Sequence, residues 1–466
     1  MSKHYTLKPR KFTVEFRDSR RASAHGGQLA ISGLIEQFGL KQRVAAERAL
    51  DARRHLGKGY APLVYVSQLL YSFTSGGVSL ADAERLNADG PLKSFLGLEK
   101  FPDQTAAGEW LRDIGEPGWQ ALRRISREFV PWALARAEAR RYQHAGRTEC
   151  FFDDTQIEVS GSTFEGAAIN YEGNRSLSWQ VLLCGPFVAD QILGATSDTK
   201  ESPASDQAGK DVSSRLPELL EANAHLWQKE TSYLYADSAS SAGKYLDAIQ
   251  QHFGAWSVSY NKWTGPLEQK ATELPALSWS AVETVRWRDG SEHTAQYAWF
   301  RHQPGGCETP KRFAVVRHRA EGEMFWRHAF LTAQEQEGAA QLAFERHRLK
   351  GDKERVLSEL LSDLDLHHPP CANLNANRSF YTVAVLAWNL LQALKLLYLP
   401  ESEAPKRMRT LLRHLLLIPV ELKAHARGLK ACLYAPAGWV QWWRGLLKEL
   451  LPRCRALDDA AASATG

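Results

Sequence analysis

Thr148-Glu-Cys-Phe-Phe-Asp-Asp-Thr-Gln-Ile-Glu-Val159 is the stretch whose reading decides the fold. Cys150, Phe151, Phe152, Ile157 and Val159 make a short run rich in β-formers, which predicts a largely buried strand rather than a helix. Two adjacent carboxylates, Asp153 and Asp154, sit in that run. Burying unpaired carboxylates is costly, so both must reach water, a cation or a metal ion. The plain alternative is an aspartate pair that leaves a strand into a turn.

Around this stretch the composition is that of an ordinary globular chain: 466 residues, 44% hydrophobic and 24% charged, enough for two to four structural units. The six cysteines include no Cys-x-x-Cys pair, so neither a zinc ribbon nor a disulfide framework is expected. No signal-like N-terminus and no run of 18 apolar residues is found, and the expected location is the cytoplasm. The net charge of +5 is unevenly spread. Residues 1–60 carry 13 Lys+Arg against 5 Asp+Glu, and residues 395–455 carry 12 against 4, so basic ends flank an acidic middle. That layout suits a polyanion held by the ends while central carboxylates bind metal. Solvated charge on helix faces explains it equally well.

In chain order, a strand-like Phe12–Phe16 precedes a helix from about Gln28 to Phe38. Further helices are expected over Tyr60–Phe73, Leu80–Leu86, Pro91–Leu96 and Trp119–Arg141. The segment Phe101–Arg112 offers a weakly specified helix-turn-helix. After the opening strand, Gln180–Phe187 and Thr231–Ala236 are expected strands, with a helix over Leu216–Trp227 between them. Asp237 ends the third strand, where it can bind a cation or cap the following helix. From Trp256 to Phe330, six tryptophans alternate with arginines in short β-like runs. Such aromatics can stack on bases, although most are expected to be core. Glu354 lies near the start of a helix through Leu366, with Arg348, Lys350 and Lys353 just upstream, and the helix Asn377–Tyr398 is strongly core-like. A basic tail with Arg407, Arg409, Arg413, Lys423, Arg427 and Lys430 completes the chain. His367, His368 and Cys371 form a further metal candidate, but adjacent histidines before Pro-Pro fit a turn better.

Two strand-borne aspartates and a helix-borne glutamate are hard oxygen ligands suited to divalent cations in phosphoryl transfer. At Phe152-Asp-Asp-Thr155, Tyr235-Ala-Asp-Ser238 and Leu349-Lys-Gly-Asp-Lys-Glu354 the chain resembles the DDE transposases of bacterial insertion sequences. The likeness continues through Asp365–Pro370, Asn375–Tyr381 and Leu386–Leu391, and spans roughly Val64 to Leu397. It implies an α+β fold: an RNase H-like core with a β-rich insertion, a helical N-terminal domain before it and a helical C-terminal tail after it. The expected division is 1–145, 146–255, 256–330, 331–398 and 399–466.

The resemblance implies Asp154, Asp237 and Glu354 as catalytic residues and metal ligands. Asp154 is preferred to Asp153 because the family's first aspartate commonly precedes Thr directly. It further implies Mg²⁺, with Mn²⁺ as substitute, and DNA contacts from Arg348, Lys350 and Lys353. The implied partner is double-stranded DNA, both terminal inverted repeats and target, bound by a homodimer in a synaptic complex. Cut-and-paste cleavage and strand transfer would be the activity. A catalytically inactive, DNA-binding descendant is the competing expectation. Relatives set Tyr, Arg, Glu and Lys at fixed intervals about the third carboxylate, and here those offsets give His347, Lys350, Glu354 and Leu361. The basic residue keeps its charge but loses the bidentate guanidinium, and the downstream Lys is replaced.

Overall fold

The computed structural model describes residues 21–55, 58–170, 172–194, 214–261, 264–286, 290–335, 338–425 and 428–451. The strand expected over Phe12–Phe16, together with Trp263, Trp287 and Arg427, lies outside them. Helices lead the chain: α1 (Gln28–Phe38), α2 (Pro62–Thr74), α3 (Gln104–Asp113) and α4 (Gly115–Leu134). Helix α4 stops at Leu134, short of the expected Arg141. The reason is that Ala135–Arg141 contains only alanine and charged residues, and a helix with no apolar face to bury gains little in water.

The central sheet begins with β1 (Arg147–Glu158), which contains the deciding stretch, and continues with β2 (Arg175–Cys184) and β3 (Phe187–Gly194). The single strand expected over Gln180–Phe187 is thus two strands of a hairpin, broken at Gly185, whose φ of 58° the turn requires. Helix α5 (Leu216–Asn223), β4 (Ser232–Ala236), α6 (Gly243–His252) and β5 (Ala255–Tyr260) follow. Strands β1, β4 and β5 are parallel neighbours, with Phe152 level with Ala236. The β-rich segment supplies β6 (Glu283–Arg286), β7 (Glu292–His302), β8 (Lys311–Ala320) and β9 (Arg327–Gln334). Because β9 pairs with β5, these strands prolong the central sheet in the order β3–β2–β1–β4–β5–β9–β8–β7–β6. The fold is therefore mixed α+β with an RNase H-like core.

Helices α7 (Ala340–Arg348) and α8 (Lys350–Asp363) are separated only by Leu349 and lead to α9 (Leu374–Tyr398). α9 is apolar and long enough to cross a membrane by length and composition, yet it is buried inside the fold. The C-terminal region is not wholly helical: β10 (Val420–His425) and β11 (Gly428–Leu433) form a hairpin before α10 (Val440–Leu450).

Two apolar layers cover the sheet. One holds Phe151, Ile157, Tyr233 and Tyr235 against α8, α9 and the N-terminal helices. The other holds Cys150, Phe152, Leu234 and Val258 against α5 and α6. Successive residues of β1 alternate between them, as the period of a strand demands.

Candidate active site

That alternation separates the two aspartates. Asp153 follows Phe151 onto the α8–α9 face and Asp154 follows Phe152 onto the opposite one. There Asp154 lies across from Gln180, accepting hydrogen bonds from Ser178 Oγ at 2.6 Å and Gln156 Nε2 at 2.8 Å. Burial holds its pKa well above the usual carboxylate range.

Asp153, within β1, and Asp237, just past β4, follow the level pair Phe152 and Ala236 of adjoining parallel strands. Asp237 Oδ1 accepts the backbone N–H of Ser238 at 2.7 Å, so the capping role foreseen for it is present at a short helical turn. Above both aspartates runs the first turn of α8. Lys350 Nζ lies 3.5 Å from Asp237 Oδ1 and 2.9 Å from Glu354 Oε1, one helical turn on. The ammonium is largely buried while the two carboxylates are half exposed. Burial raises the Asp153 pKa to about 7; the charges of Asp237 and Glu354 add to this, while Lys350 opposes it. For Lys350, burial favours deprotonation, yet the bond to Glu354 and the three negative charges outweigh it and raise its pKa.

Asp153, Asp237 and Glu354 thus share one field with Lys350 at its centre, and Asp154 is turned away. Asp154, expected to join Asp237 and Glu354, lies on the opposite face of the sheet from Asp153. What distinguishes the pair in the sequence is only the face occupied by each neighbour, which needs the partner layers to be known. Among the described residues, no three His, Cys, Asp or Glu side chains are already gathered to hold a metal ion.

The remaining candidates divide. Arg348 is exposed at the end of α7. Lys353 turns from the site to Glu149 at 3.4 Å, and lines a cleft of about 470 Å³ with Arg140, Arg141, Arg355 and Lys395. His347 is held by Ser257 Oγ at Nδ1 and Ser259 Oγ at Nε2, both at 2.8 Å. Leu361 is packed into the core, so that position cannot present a cation to a ligand. His368 pairs with Asp365 at a turn where Asp365 has φ 52°, while Cys371 faces Asn377. In the β-rich segment Trp256 and Trp279 are core, whereas Trp299 and Trp326 are partly exposed. Arg317 stacks on Trp279 and Trp326, and Arg312 on Trp299.

A mixed sheet with Asp153 and Asp237 level on adjoining parallel strands, and Glu354 on the helix beside them, is an arrangement of the RNase H-like kind. The sequence profile of Transposase DDE domain group 1 matches residues 5–452, nearly the whole chain, and the chain belongs to this family of DDE transposases. Such transposases typically use a divalent metal ion and have DNA as partner. No curated protein matches the chain.

Proposed function

We propose that the chain binds the ends of a mobile DNA element and catalyses metal-dependent cleavage and strand transfer, with Asp153, Asp237 and Glu354 as the catalytic carboxylates. The observation that carries this reading is the shared field of those three side chains on one face of the sheet. Their donor set fits Mg²⁺ or Mn²⁺, since all three offer hard oxygen ligands and the cation that balances them here is a lysine ammonium. When bound, the metal would supply charge stabilisation to the attacking and leaving oxygens of an in-line displacement.

The protein's own contribution is positional. Strands β1 and β4 hold Asp153 and Asp237 level, and α8 brings Glu354 across them. Arg348 and Lys353 are proposed to contact the phosphate backbone, together with the basic termini, where cations supply most of the affinity. Double-stranded DNA, as terminal inverted repeats and as target, is the proposed partner, with a homodimer pairing two ends in the cytoplasm.

The test is to incubate the protein with candidate inverted-repeat duplexes and Mg²⁺, then map the nicks. Strand-specific cleavage at an element boundary is expected, lost in Asp237→Asn and Glu354→Gln. Cleavage that persists in both variants would exclude the reading.

A further inference from the structure

Lys350 is placed unlike a residue that only waits for a ligand. Its side chain is largely buried, and its ammonium spans the two carboxylates that come from different elements, Asp237 from the end of β4 and Glu354 from α8. The third, Asp153, feels its charge from β1. An ammonium is a compact point charge on a flexible stem, able to move several ångströms without any backbone change. The oxygen that receives its shortest contact, Glu354 Oε1, is one that a divalent cation would also require.

We propose that Lys350 is a built-in counter-ion of the catalytic carboxylates, which competes with the divalent metal for Asp237 and Glu354 and must swing out before the site can load. This rests on the carboxylate reading above and adds to it a direction. A lysine that merely supports the local fold would, when removed, weaken metal binding or leave it alone. A competitor would, when removed, strengthen it, because no ammonium would have to be displaced from Asp237 and Glu354.

The measurement is calorimetric titration of Mn²⁺ into the full-length protein without DNA, with circular dichroism to confirm folding. Lys350→Gln is expected to bind Mn²⁺ at least about tenfold more tightly than the unaltered chain. Lys350→Arg, which keeps the charge, is expected to bind equally or more weakly. Lys350→Gln should also melt lower than the unaltered chain in the absence of metal, and gain more on adding Mn²⁺. Equal or weaker Mn²⁺ binding by a folded Lys350→Gln overturns the counter-ion. Should Asp153→Asn and Glu354→Gln leave Mn²⁺ binding unchanged, the carboxylate reading itself fails, and the counter-ion with it.

Discussion

Asp153 and Asp154 are chemically identical neighbours that the fold gives opposite surroundings. Asp154 is satisfied internally, by a serine hydroxyl and a glutamine amide on its own face. Burial, with two further carboxylates, raises the Asp153 pKa to about 7. Their amides should therefore behave differently. Asp153→Asn is expected to lower metal-dependent nicking by about three orders of magnitude while melting no lower than the unaltered chain, since it removes a costly charge. Asp154→Asn is expected to keep nicking within about tenfold but to lose about 1–3 kcal/mol of stability, because its amide nitrogen cannot accept one of the two hydrogen bonds. Parallel nicking assays and denaturant melts distinguish the two, and equal losses of nicking would remove the preference for Asp153.

Elements set how well these residues meet. His347, Lys350 and Glu354 recur three and four residues apart, so they form one stripe along α7 and α8 facing the sheet. At its upper end the imidazole bonds two serines of β5, and below it Lys350 pairs with Glu354 and with Asp237 just past β4. His347→Ala would leave two serine hydroxyls without this partner and free the helix to shift against the strands. An error of about 1 Å at a reacting centre can cost about a hundredfold in rate. His347→Ala is expected to lower nicking by ten- to a hundredfold, and combining it with Ser257→Ala and Ser259→Ala should cost little more, as in any shared network. Full additivity would argue against the clamp.

A second element-scale expectation concerns the sheet extension. Burial on β8, with His293 and Arg327 nearby, lowers the His318 pKa to about 4. Its folded value lies below the unfolded value near 6.5, so the unfolded chain binds more protons between them and stability must fall as pH drops through that window. Melting temperatures taken from pH 7 to pH 4 should therefore decline less steeply in His318→Gln. An unchanged slope would locate the acid sensitivity elsewhere.

At the scale of the molecule, the N-terminal helices are continuous with the core. A single apolar cluster runs from Ile31, Leu69 and Phe129 through the sheet to α9 and on to Trp443. Arg123 of α4 binds Asp190 of β3 with both atoms pairs at 2.7–2.8 Å, and Glu218 of α5 as well, in a buried setting. Helix α9 is enclosed on nearly every side. A chain starting at residue 146 would expose that face of α9, and is expected to be insoluble or to lack a cooperative melt. Removing the Arg123 guanidinium should cost about 1–3 kcal/mol, since Asp190 loses two charge-assisted hydrogen bonds but keeps Asn223 and Arg127. Cooperative unfolding of the 146–466 fragment by circular dichroism would show instead that the core stands alone.

Much was legible in the residues. Helix α1 lies where its periodicity put it, and α9 begins three residues before the expected start because Asn373 caps it through its side chain. Strands β1 and β4, and the helix bearing Glu354, were also readable, because each is written in local periodicity and local chemistry. The hairpin of β2 and β3 was merged into one strand because the break at Gly185 is a turn of only two residues between two apolar runs. The β10–β11 hairpin was hidden among basic residues that favour no particular state.

The sequence alone determined that a buried strand carries two adjacent carboxylates, that an aspartate follows a later strand and that a glutamate lies near the start of a helix. These follow from side-chain size, polarity and spacing. Only the tertiary structure decided which carboxylate of the pair lies on the face that α8 covers. A strand turns successive side chains to opposite faces, and which face is the site depends on the layer that packs there: α8, brought back by the chain some two hundred residues after β1.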